Sequence, residues 1–126
     1  MRILLDTHVL IWYLDGNQNL ARPSRQLILD SNNAIFVSIA SLWEIAIKTS
    51  VGKLKVSRSL ADILPVLSAQ SFEVLQIMPG HVLQVATLAN HHRDPFDRML
   101  IAQAQVEFLT VMTFDEIFGQ YGIKVI

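Results

Sequence analysis

The chain has 126 residues, the size of one domain; 52% are apolar, the formal net charge is −1 and there is no cysteine. The missing cysteines exclude a disulfide framework and a thiolate zinc site. The near-neutral charge argues against nucleic-acid binding by bulk electrostatics, because each phosphate contact needs a Lys or Arg.

The N-terminal MRILLDTHVL is interrupted by Asp6, lacks a small-residue cleavage site, and is too short an apolar run for a secretory signal. No stretch approaches the ~18 apolar residues of a membrane span. A cytoplasmic location with no membrane partner is therefore expected. The apolar excess suggests that some surface is covered by a partner, as in a dimer or a complex.

Strand and helix signals alternate along the chain. Residues 2–6 (RILLD) read as a short apolar strand and 7–14 as a helix rich in large apolar residues. A helix over 23–31 opens with Pro near its first turn. The run 34–38 (AIFVS) is β-branched and aromatic, as in a strand. A helix over 41–50 closes near Gly52, and another is expected over 59–70 across Pro65. Residues 72–77 alternate as a strand, 79–90 and 95–107 read as helices, and 109–113 (LTVMT) as a strand. A short helix over 114–121 and an edge strand over 123–126 end the chain. This alternation predicts an α/β fold, with a mostly parallel sheet covered by helices on both faces. In such sheets, sites form beyond the carboxyl ends of the strands.

Four acids fall where that crevice is expected: Asp6 at the end of the first strand, Glu44 on the helix after the second, Asp97 on the helix before the last main strand, and Asp115 just after it. Taken singly, three have plain structural accounts. Asp6 suits an N-cap. Asp94-Pro95-Phe96-Asp97 is a helix start, with Asp94 as cap. Thr113 and Glu116 form a capping-box pattern, leaving Asp115 as a first-turn acid. Glu44 resists such an account. It sits in SLWEIAIKTS among apolar neighbours, and an exposed i, i+4 pair with Lys48 is worth only ~0.2–0.5 kcal/mol, too little to offset burial of a carboxylate.

Together the acids say more than apart. Carboxylates on one rim repel one another and raise each other's pKa. A hard divalent cation such as Mg²⁺ relieves that cost, taking one or two carboxylates directly and keeping waters that the remaining acids orient. Against a phosphodiester, such an ion polarises the phosphoryl oxygen and activates water as the nucleophile.

The order LLDTH, SLWEIAIK, DPFDRMLIAQA and TFDEIF resembles the PIN-domain family, and most of all the VapC-type toxins of bacteria, over essentially the whole chain. The resemblance implies a three-layer α/β/α fold, endoribonuclease activity with Mg²⁺ or Mn²⁺, a cognate VapB-like antitoxin and a homodimer. By the same resemblance Asp6 and Asp97 are the direct ligands. Glu44 holds or activates a water, and Asp115 completes the cluster or helps hold a second ion. Thr113 matches a hydroxyl often found beside the fourth acid. Asp94 is expected to cap rather than ligate. Ser38 is either a crevice hydrogen-bonder or a turn serine, and Arg98 either a phosphate contact or part of a solvated face.

His8, His81, His91 and His92 show no zinc-ligand spacing, and His8 is expected to be a cap-region or packing residue, with a substrate contact as the alternative. Lys48, Lys53, Lys55 and Arg58 read as a solvated basic stretch, with guidance of RNA to the acids as the alternative. Trp12 and Trp43 are expected in the core, with a share in an antitoxin groove as the alternative. Three other readings compete with the toxin. One is a PIN nuclease in RNA maturation. Another is a phospho-acceptor signalling domain, disfavoured because no Asp follows the second or third strand and no Lys follows Thr113. The last is a catalytically dead binding module, which the intact acid set argues against.

Overall fold

The computed structural model describes residues 1–126. Strands β1 (Arg2–Leu5), β2 (Ala34–Ser38), β3 (Glu73–Leu75) and β4 (Thr110–Met112) form one parallel sheet in the order β3-β2-β1-β4. Ile3 lies opposite both Ile35 and Thr110, so β1 is central. Parallel sheets are covered on both faces, and their strands are correspondingly apolar throughout.

The period-2 geometry of a strand sorts these side chains into two cores. Ile3, Leu5, Ile35, Val37 and Met112 point to one, and Leu4, Phe36 and Val111 to the other. Helices α1 (Thr7–Asp15), α2 (Arg22–Leu29) and α4 (Leu60–Ala69) supply Leu10, Ile28, Ile63 and Leu67 to the first core. Helix α6 (Pro95–Glu107) supplies Leu100, Ile101 and Ala104 to the second, with α5 (Pro79–Ala86) packed against it. Helix α3 (Ile39–Ser50) serves both, sending Leu42 and Ile45 to the first core and Ala40 to the second. The expected α/β sandwich is thus present. No helix is long and apolar enough to cross a membrane.

The departures from expectation have local causes. Helix α3 begins at Ile39, not Ser41, because the buried Ser38 hydroxyl accepts the Ala40 N–H as an N-cap. Helix α4 runs through Pro65, which lies on its exposed flank while Ile63 and Leu67 anchor the buried side. Helix α5 stops at Ala86 rather than Asn90. There the Thr87 and Leu88 N–H groups turn to the carbonyls of Gln84 and Val85, three residues back, and the Thr87 hydroxyl also donates to Gln84, which tightens and ends the last turn. Residues 116–121 form a 3₁₀ turn capped by Asp115, in place of an α-helix capped by Thr113. The chain end makes only a single parallel bridge, Val125 to Val111, along the β4 edge. Trp43 is 57% exposed and so is not a core residue, whereas Trp12 is half-buried and packs against the edge of the first core.

Candidate active site

Because the strands are parallel, their carboxyl ends share one rim. Asp6 follows β1 directly, α3 leaves the end of β2 carrying Glu44 in its second turn, and Thr113 and Asp115 follow β4. Helix α6 starts at the same rim, its first turn held by Asp94, whose Oδ1 accepts the N–H groups of Phe96 (2.9 Å) and Asp97 (3.0 Å). The result is a pocket of about 410 Å³ lined by five carboxylates, Asp6, Glu44, Asp94, Asp97 and Asp115, together with Lys48, His8, Trp12 and Phe114. All four acids singled out in the sequence therefore face one space, and Asp94 joins them while serving as a cap.

The carboxylates are held to different degrees. Asp6 is buried and its two oxygens are fixed separately: Oδ1 accepts the Thr7 N–H at 2.7 Å, and Oδ2 accepts the Thr113 hydroxyl at 2.7 Å. Thr113 Oγ1 in turn accepts the Asp115 N–H at 3.1 Å, which ties β1 to the segment after β4. Glu44 is buried on α3, with Oε2 paired to Lys48 Nζ and Oε1 left without any hydrogen-bond partner. The i, i+4 pair expected from the sequence thus exists, but it satisfies only half of the carboxylate. An unpaired buried carboxylate oxygen costs on the order of 1–3 kcal/mol or more.

The shared field is visible in the ionisation of these groups. Burial pushes the Asp6 carboxyl above the ordinary range, and the nearby Glu44 adds to this, against the downward pull of the Thr113 and Thr7 hydrogen bonds. Asp97 is pushed up to about 8, first by burial and then by the charges of Asp6, Asp94, Glu44 and Asp115. Lys48 is raised chiefly by its hydrogen bond to Glu44. Like charges at this density call for a cation. No three acidic or histidine side chains are gathered closely enough to enclose an ion unaided. Mg²⁺ does not need such a cluster, since it binds through one or two carboxylates and fills its other positions with water and substrate oxygens. The orphaned Glu44 Oε1 and an all-oxygen donor set fit the same ion.

Several other residues lie apart from their expected places. Ser38 does not line the pocket; its hydroxyl is buried, capping α3 and donating to Gln103 Oε1 at 2.6 Å. Arg98 is turned away as well. Its Nη1 donates to the carbonyls of Ala89 and His92 and to the Tyr121 hydroxyl, and its Nη2 to the carbonyl of Leu88, so the phosphate contact is not made from this position. Lys53, Lys55 and Arg58 are exposed and outside the pocket, whereas Lys48 is part of it. His8 is exposed at the rim, edge-on to Trp12 at 6.4 Å. Trp12 in turn meets the half-exposed Phe114 at 5.2 Å, placing an aromatic flank beside the acids. His92 was not distinguished by sequence spacing, yet its Nε2 lies 3.4 Å from Asp97 Oδ2.

A parallel α/β domain that concentrates carboxylates at the carboxyl rim of its sheet has the donor chemistry to take up a hard divalent ion beside a polar substrate. The chain belongs to the PIN-domain family, whose profile matches residues 3–124. Among solved structures it is similar to a chain of VapBC2 from Rickettsia felis bound to a promoter DNA fragment (TM-score 0.75, 16% identity, covering 100% of this chain and 98% of that one). It is also similar to DNA-bound VapBC from Salmonella typhimurium (0.72, 18%, 100% and 97%) and to FitAcB from Neisseria gonorrhoeae (0.68, 21%, 98% and 95%). At these identities the likeness is one of fold. No curated protein sequence matches the chain significantly.

Proposed function

We propose that the protein is a Mg²⁺- or Mn²⁺-dependent endoribonuclease and the toxin member of a VapBC-like toxin–antitoxin pair. One observation carries the nuclease reading: five carboxylates from four parts of the chain line one pocket, and the most buried of them, Glu44, keeps an oxygen with no partner. Family membership supports it. When bound, the ion supplies positive charge to the scissile phosphate and makes water acidic enough to attack at neutral pH.

The remaining roles belong to the chain. Asp6 and Asp97 would hold the ion, and Thr113 keeps Asp6 in one rotamer by fixing Oδ2. Glu44 Oε1 would accept a hydrogen bond from the attacking water, while Lys48 anchors Oε2. Asp115, itself capping the 3₁₀ turn through Oδ1, completes the acidic rim. Asp94 fixes the first turn of α6 and so the direction of Asp97.

The toxin reading draws on the resemblance to VapC-type sequences and on similar folds in VapBC and FitAcB complexes. A homodimer and a VapB-like partner are consistent with the exposed apolar side chains of Trp43, Met78, Val82 and Leu83. The test is cleavage of purified total RNA with Mg²⁺, with and without chelator, by wild type and Asp6→Asn. The reading expects chelator-sensitive cleavage that Asp6→Asn lacks, and equal cleavage by both proteins would refute it. Growth arrest on overproduction, relieved by a co-expressed antitoxin, separates a toxin from an RNA-maturation nuclease, which is harmless in excess.

A further inference from the structure

Tyr121 gathers the loop that precedes α6. Its hydroxyl oxygen receives the backbone N–H of His91 (3.2 Å) and of His92 (3.2 Å), and Arg98 Nη1 (3.2 Å). The two backbone N–H groups already fill the lone pairs of that oxygen, so it cannot accept from His92 as well, and its own proton must go elsewhere. The shortest contact it makes is with His92 Nδ1, at 2.7 Å. His92 Nδ1 therefore accepts, and a neutral imidazole that accepts at Nδ1 carries its proton on Nε2. That Nε2 is buried, has no hydrogen-bond partner, and lies 3.4 Å from Asp97 Oδ2. No other group is positioned to take its proton, and a few tenths of an ångström closes the gap to hydrogen-bond length.

We infer that His92 is a positioning residue: Tyr121 fixes its tautomer, and its Nε2–H holds the Asp97 carboxylate at Oδ2, orienting the other oxygen toward the acidic pocket. The hydroxyl of Tyr121, the imidazole and the carboxylate form one chain, and Arg98 braces its far end. This gives Arg98 and Tyr121, both remote from the pocket lining, a part in the site through Asp97. The inference rests on the reading of Asp97 as an ion ligand only for its functional consequence; the tautomer follows from the Tyr121 contacts, and the last link from the 3.4 Å approach of Nε2 to Oδ2. Groups that hydrogen-bond a metal ligand change metal affinity by ~10–100-fold when removed.

The first test is the ¹⁵N histidine spectrum of the metal-free wild-type protein, with His92 assigned by loss of its signals in His92→Gln. The expected pattern is the Nε2–H tautomer, and an Nδ1–H pattern overturns the inference. The second is Mn²⁺ binding by calorimetry, alongside thermal melting. His92→Phe keeps the ring's packing but not its donor, and is expected to weaken Mn²⁺ binding ~10-fold. His92→Gln, whose Nε2 reaches a similar position, should recover most of it, and Tyr121→Phe should weaken binding in the same direction as His92→Phe. Wild-type affinity in His92→Phe, or a His92→Gln as poor as His92→Phe at equal melting temperature, overturns the positioning role. If wild type binds no Mn²⁺, the ion reading of the pocket falls, and the tautomer spectrum still decides whether Tyr121 fixes the imidazole with its proton on Nε2.

Discussion

Replacing Asp97 by Asn should make the metal-free protein more stable while abolishing its cleavage activity. Asp97 is pushed up to about 8 from a usual 3.8, by burial and by four neighbouring carboxylates. Between those values the folded chain keeps a proton that the unfolded chain has released. Stability is therefore fullest below the unfolded value, falls as pH rises from about 4, and has lost the whole contribution above about 8. At ~1.4 kcal/mol per pH unit the interval corresponds to on the order of 5–6 kcal/mol. The carboxylate faces an open pocket, where solvent and salt screen the repulsion, so ~1–3 kcal/mol is the expected part. Asn lacks the ionisation and escapes the loss. For a domain of this size that raises the melting temperature by ~4–10 °C at pH 8.5 in EDTA, with little difference near pH 4.5. The assay is thermal melting of both proteins across that range, repeated in saturating Mg²⁺, where ion binding stabilises wild type and narrows or reverses the gap. Equal melting temperatures at all pH values, or an Asp97→Asn protein that is less stable at pH 8.5 in EDTA, would refute the crowded-carboxylate account.

Other substitutions probe other parts of the structure. Lys48→Met removes the only partner of the buried Glu44 and should cost ~1–3 kcal/mol in denaturant unfolding, since an uncompensated buried charge is penalised although Lys48 itself is partly exposed; the double variant with Glu44→Gln should recover most of that loss. Arg98→Lys should lower stability by ~1–3 kcal/mol, because one ammonium cannot reproduce a planar fork that reaches three carbonyls and the Tyr121 hydroxyl. Phe108 ends α6 with φ 56° and an almost fully exposed ring, so Phe108→Gly should stabilise by ~0.5–1 kcal/mol in the same unfolding assay.

The main strands and helices were legible because each carries its own period and its own stop signals. The apolar runs of β1 and β2 announce a sheet buried on both faces, and Asp94-Pro95 announces the start of α6 to the residue. What escaped was decided by partners distant in sequence. The loop after α5 is organised by Arg98, which takes the carbonyls of Leu88 and Ala89 from ten and nine residues away. Trp43 has the helical setting of a core residue but faces out, because α3 divides its burial between two cores and leaves that edge uncovered.

The same division holds within the pocket. Acids placed just after strand ends could be anticipated, since the strand order of an α/β sheet brings those ends together. The second task of Thr113, donating to Asp6 from 107 positions away, has a hint in its place beside Asp115. The link from Tyr121 through His92 to Asp97 has none. No periodicity relates these residues, and only the folded backbone puts the phenol under the loop before α6.

The most direct measurement is a crystal structure of the protein with Mn²⁺, the ion located by its anomalous scattering. An ion within bonding distance of carboxylate oxygens of Asp6 and Asp97, with Glu44 reaching it directly or through a water, is the predicted result. A pocket that stays free of bound Mn²⁺ at saturating concentration, or an ion held only by residues elsewhere on the surface, would contradict it.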